Sequence, residues 1–216
     1  MKYLRYVILV ITVACVTGCV SPFYGTARIE EGLHVDAGLA GGTYMFGEGP
    51  TGSYSEGGAP YYIGLRGDIE LRYGFGKYIQ GSARTGIGWG FNGKRYEAEP
   101  VPVEDNFLLD VALGSQLALP IVIEDLGQIT PALRFEGCYG YSQLYLLPTF
   151  ALGFGNPEYL TLGGRIYYPF PTELFACIHV WRVNVFAGVN TYTTWLHPDY
   201  WRVPAVVTFG VGYKIK

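Results

Sequence analysis

The chain is patterned most clearly between Tyr61 and Phe75, where apolar and polar positions alternate without a break. Tyr61, Ile63, Leu65, Gly67, Ile69, Leu71, Tyr73 and Phe75 share one side. Tyr62, Gly64, Arg66, Asp68, Glu70, Arg72 and Gly74 share the other. A β-strand sends successive side chains to opposite faces, so a period of two predicts a strand with one oily and one charged face. It is longer than the roughly 5–6 residues usual in soluble sheets. Its oily face carries aromatics at both ends and aliphatics between them, the profile of a strand that crosses a bilayer.

The same period recurs along the chain. Before this stretch, Leu33, Val35, Ala37, Leu39 and Met45 oppose His34, Asp36, Gly38, Ala40 and Gly42 in a strand over about Gly32 to Phe46. A tight turn at Gly74-Phe75-Gly76-Lys77 leads into a strand over about Tyr78 to Phe91, with Arg84 on its polar side. Further strands are predicted at about Phe107–Leu119 (Asp110 polar), Gln128–Tyr141 (Arg134 and Glu136 polar), Leu144–Gly155, Tyr159–Tyr168 (Arg165 polar) and Trp201–Ile215. Pro148 weakens the sixth of these or marks a bulge. Leu174 to Val183 has no breaker, so Glu173 to Trp195 reads either as one long strand or as two hinged near Trp181-Arg182. A direct count gives about ten strands, and eight is the alternative because bacterial single-chain barrels take even numbers. Gly47–Ala59 and Asn92–Asn106 read as long loops, whereas the turn after the second strand is short. Such length alternation fits an up-and-down order, with long loops at one end and short turns at the other.

Alternation alone does not say which face points inward, since a soluble sandwich or lipocalin-like barrel also alternates. Charge and composition change the picture. Beyond the amino-terminal segment the only lysines are Lys77, Lys94, Lys214 and Lys216, all at turns or near the chain end. The charges within strands balance instead: Arg66, Arg72, Arg84, Arg134 and Arg165 against Asp36, Asp68, Glu70, Asp110 and Glu136. Equal sets of guanidiniums and carboxylates suit an enclosed ion-pair network, because an unpaired charge in low dielectric is costly. Aromatics gather near strand ends, among them Tyr73, Phe75, Trp89, Phe91, Tyr139, Tyr141, Trp195 and Trp201, as in the girdles of membrane barrels. The expected fold is therefore an all-β, antiparallel, up-and-down transmembrane β-barrel of about eight to ten strands. The alternative is a soluble barrel with the oily face inward.

The amino end is a targeting segment: Lys2 and Arg5, then the apolar run Tyr6 to Val16, then Val16-Thr17-Gly18-Cys19. This tetrapeptide resembles the bacterial lipobox, which implies acylation of Cys19 as the mature amino terminus; an ordinary signal cut after Ala14 or Gly18 is the alternative. Val20 in place of aspartate is compatible with sorting to the outer membrane. The predicted organisation is a signal peptide over 1–18, a lipidated tether over 19–31 and a barrel over 32–216. From about Gly32 to Lys216 the pattern resembles small outer-membrane β-barrels of the OmpA transmembrane-domain type. The last strand resembles the terminal assembly signal of that class, but ends in Ile215-Lys216 rather than an aromatic. The resemblance implies outer-membrane lipids, the barrel-assembly machinery and the lipoprotein-sorting machinery as partners, with the amino terminus on the periplasmic side.

Candidate chemistry adds little. With a net charge of −3 and no basic patch, nucleic acid is not an expected partner. Gly86-Ile87-Gly88-Trp89-Gly90 lies inside a strand and reads as small lumen positions, not as a phosphate loop. No catalytic elbow, zincin motif or Cys-x-x-Cys is present, and no cofactor or metal is expected. His34 and Asp36 share a face and are a candidate hydrogen-bonded pair. Cys138 and Cys177 are expected as unpaired wall residues. Four readings of function follow: a non-enzymatic barrel with a structural or loop-mediated binding role, a narrow channel, a barrel enzyme acting on outer-membrane lipid, and a soluble, lipid-tethered, ligand-binding barrel. The soluble ligand is left unassigned.

Overall fold

The computed structural model describes residues 24–45, 61–94, 102–103, 106–124, 127–140, 143–166, 172–191 and 206–216. The signal segment with Cys19, the 47–59 loop, Tyr141, Trp195, Trp201 and His197 lie outside these residues.

Among the described residues twelve strands run in order: β1 (Gly32–Met45), β2 (Tyr61–Gly74), β3 (Ile79–Lys94), β4 (Pro102–Val103), β5 (Asn106–Ala118), β6 (Ile121–Ile123), β7 (Gly127–Gly140), β8 (Gln143–Gly155), β9 (Glu158–Ile166), β10 (Thr172–Val180), β11 (Val183–Thr191) and β12 (Val206–Lys214). β4 and β6 are short additions that pair only with β3 and β7. The other ten each pair antiparallel with their neighbours in sequence, and β1 pairs with β12, so the sheet closes on itself. This is an up-and-down barrel of ten strands, the direct count from periodicity rather than the alternative of eight. Closure leaves no edge strand in the wall.

The segment left open at Glu173 to Trp195 resolves as a hairpin. β10 and β11 pair from Val180↔Val183 outward, with Trp181 at φ +57° in the turn. Pro148 sits in continuous register opposite Phe135, without a bulge. Part of the stretch expected as the Asn92–Asn106 loop contributes to the sheet through β4, and β6 adds a further short strand before β7. Short turns join β2 to β3, β8 to β9 and β10 to β11 at one end, where β1 begins and β12 finishes. β1 ends and β2 begins at the opposite end, as do β11 and β12, and β7 ends there with two residues between it and the start of β8.

The outer wall is apolar. Leu39, Leu65, Leu113, Val122 and Leu146 are among its most exposed side chains, Leu39 at 72 %. Tyr73, Phe75, Tyr78, Tyr159 and Tyr213 project near the short-turn rim, and Trp89, Phe107 and Tyr139 toward the other. Tyr73 packs edge-on to Phe75 at 5.0 Å, and Trp89 to Phe107 at 6.2 Å. The interior is polar and charged, the reverse of a soluble core.

Candidate functional site: the charged lumen and its plugged mouth

All ten charged residues that periodicity placed on one face lie in the lumen, each at most 5 % exposed. Arg66 bridges Asp68 at 2.5 Å and Asp110 at 2.9 Å. Arg72 donates to Asp36. Arg134 bridges Glu70 at 2.5 Å and Glu136 at 2.8 Å, and Arg84 approaches Glu136 at 3.5 Å. Space for these long side chains comes from inward positions without side chains: a Cβ on Gly86 would stand 1.8 Å from the Arg66 guanidinium.

Arg165 lies against an aromatic pair. Its guanidinium lies over the rings of Phe175 and Phe186, 5.0 and 5.7 Å from their centroids, and 3.7 Å from the carboxylate of Glu173. The two rings stack at 5.5 Å beside Cys177. Glu173 was not anticipated. Its signal was present, since Leu174, Ile178 and Val180 face outward and put Glu173, Phe175, Cys177 and His179 inward. Cys138 and Cys177 are both free and buried.

The expected His34–Asp36 pair does not form. Asp36 is taken by Arg72, whereas the His34 ring contacts the Glu31 carbonyl at 3.1 Å and Glu30 at 3.6 Å. The stronger, charged partner on the adjacent strand wins the carboxylate.

A second cluster occupies the short-turn mouth. Residues 24–30, expected as part of a tether, run inside the barrel rim, with Tyr24, Ala27 and Ile29 buried. Hydrogen bonds from wall side chains to its main chain hold this segment, and the Arg28 guanidinium also donates to Asn156 Oδ1. Glu158 accepts from Ala27 N–H at 2.9 Å and from Arg28 N–H at 2.7 Å. Gln116 donates to the Thr26 and Ala27 carbonyls at 3.0 and 2.8 Å. Asn184 donates to the Tyr24 carbonyl at 2.8 Å. Ala27 and Ile29 pack against Ala118, Ala132 and Ala151.

Behind the plug, Thr161 Oγ contacts His179 Nε2 at 2.7 Å, and His179 Nδ1 contacts Asn184 Oδ1 at 2.8 Å. Because the Asn184 amide nitrogen is engaged by Tyr24, its oxygen faces Nδ1, and Nδ1 carries a proton. Hydroxyl, imidazole and amide in this order match a nucleophile, base and orienting group by distance. Thr161 is nevertheless fully enclosed, and its single hydroxyl proton goes to Glu158 and not to His179. The adjacent recess of about 300 Å³ is lined by His179 and Glu158 but not by Thr161. The set therefore braces Glu158, which holds the plug, and leaves no room for a carbonyl at the hydroxyl. Among the described residues no three metal-ligating side chains converge.

Fold and interior together define a closed ten-stranded antiparallel barrel with a charged lumen, an apolar exterior and a plug formed by its own amino-terminal segment. No family model matches the chain, and no curated protein matches it.

Proposed function

We propose that this chain is a bacterial outer-membrane β-barrel lipoprotein, acylated at Cys19, with a structural or loop-mediated binding role and no enzymatic one. The observation that carries the reading is the inverted polarity of the barrel. The ten charged side chains of the predicted face, with Glu158 and Glu173, sit within the barrel while Leu, Ile, Val and aromatic side chains cover the outside. Water would penalise that exterior at about 25 cal/mol per Å² of apolar surface, whereas acyl chains accept it. The partners are then outer-membrane lipids around the wall, with barrel-assembly and lipoprotein-sorting machineries during biogenesis. The plug, the start of β1 and the turns after β2, β8 and β10 share one rim, which supports a periplasmic amino terminus.

The test is fractionation of a Cys19→Ala variant exported by a cleavable signal, with gel mobility compared before and after boiling. An embedded barrel stays in the outer-membrane fraction and shifts on boiling. Release to the soluble fraction would replace this reading with the soluble, tethered barrel.

A channel is disfavoured by the same interior. Small barrels are filled by side chains, and this one is also stoppered by Tyr24 and Ala27. Purified protein in planar bilayers is expected to give no unitary conductance steps, and regular steps would restore the channel reading.

A further inference from the structure

The contacts that hold residues 24–30 are those of a receptor for a peptide. Gln116 on β5, Glu158 on β9 and Asn184 on β11 meet the segment at its main-chain atoms, from positions 89 to 160 residues away in sequence, and the Arg28 side chain adds a bond to Asn156. The segment takes no part in the sheet, and it joins the barrel covalently only where Glu31 leads into β1. Main-chain recognition of this kind accepts an extended peptide of many sequences, and side-chain pockets then set the preference.

Three such pockets are present. The ring of Tyr24 lies in a slot floored by Gly38 and Gly212, cross-strand partners in the β1–β12 pair. A Cβ on either would stand 2.3 or 2.5 Å from the ring, so the slot exists because both positions lack one. Ala27 is fully enclosed, which demands a small residue. Ile29 fills an apolar patch with Ala118, Ala132 and Ala151.

We propose that the short-turn mouth is a peptide-binding site in its own right, with residues 24–30 as its tethered ligand. A free peptide with the pattern aromatic–x–x–small–x–aliphatic takes the same place when the tethered copy leaves. The tether supplies an effective concentration of about 1 mM, so a free peptide competes poorly until the link is cut.

The experiment uses the full chain in detergent, with a site-specific protease sequence inserted between Glu31 and Gly32, so that the barrel folds before cleavage. The probe is a fluorescent synthetic peptide of residues 22–31. After cleavage and washing, saturable binding is expected at a concentration at least tenfold below that needed with uncut protein. The same peptide carrying Tyr24→Ala is expected to bind at least tenfold more weakly. Absence of saturable binding or exchange after cleavage, or equal binding of the Tyr24→Ala peptide, overturns the proposal. If the insertion prevents folding, Tyr24→Ala in the otherwise unaltered chain takes its place. This variant should admit the wild-type peptide at a tenfold lower concentration than the unaltered chain, and equal exclusion overturns the proposal. The readout does not depend on membrane location, so its failure is distinct from a failure of the fractionation test.

Discussion

Arg134→Met is expected to destabilise the barrel by about 3–5 kcal/mol, the usual cost of removing one partner from a buried charge network. Arg134 is the hub of the central network, with Glu70 at 2.5 Å and Glu136 at 2.8 Å, and none of the three is more than 4 % exposed. Glu136 keeps Arg84 at 3.5 Å after the substitution. Glu70 loses the guanidinium that neutralises it and must stay charged without a partner or take up a proton. The cost therefore comes from the carboxylate left behind more than from the pair removed. That argument has its own check: adding Glu70→Gln to Arg134→Met should recover part of the loss, a coupling a double-mutant cycle measures. The observable is the midpoint of the urea transition, followed by the folded band on an unboiled gel. A shift of less than about 0.5 kcal/mol for the single variant would mean the network does not hold the barrel.

Glu158→Ala is expected to free the plug while the wall remains. Its carboxylate accepts two consecutive backbone N–H groups, from Ala27 and Arg28, and each charge-assisted bond is worth about 1.5–3 kcal/mol. Losing even about 2 kcal/mol shifts the docked–undocked balance roughly 30-fold, since each 1.4 kcal/mol is about tenfold. Trypsin cleavage after Arg28 should accelerate by about that factor, because a protease acts on the undocked segment. Glu158→Gln keeps an acceptor and should fall between wild type and alanine. Gly38→Leu should produce the same release by another route, through the Tyr24 ring that a side chain there would displace. An unchanged rate in both Glu158→Ala and Gly38→Leu would show that the segment is held by something other than these contacts.

The two variants probe different parts of one design. The lumen network holds the wall together from inside, where a soluble protein would have Leu and Val. The plug closes one end of that interior with hydrogen bonds to its main chain together with the buried side chains of Tyr24, Ala27 and Ile29. Both devices exist because the lumen is polar, and a polar interior must satisfy its charges internally.

Much of this was legible from periodicity. Side-chain direction along a strand is a local property, so Arg66, Asp68, Glu70 and Arg72 fell on one face of β2 without knowledge of any other strand. The same reasoning placed Asp36, Arg84, Asp110, Arg134, Glu136 and Arg165, and the strand count of ten. Glu173, Phe175 and His179 were readable in phase, but the unbroken run from Leu174 to Val183 left one long strand and two strands hinged near Trp181-Arg182 both open, because Trp181 is a residue that rarely adopts positive φ; the hinge is where the turn falls.

Closure of the barrel decided the rest. Alternation is the same for an oily face turned in or out, and only the pairing of β1 with β12 encloses the charges and exposes Leu39 and Leu113. Which arginine meets which carboxylate depends on barrel width and stagger, so Arg66 reaches Asp110 on β5, and Arg134 reaches Glu70 on β2. The plug left no trace in the pattern of residues 24–30, because its partners are remote side chains that bind main-chain atoms common to every residue.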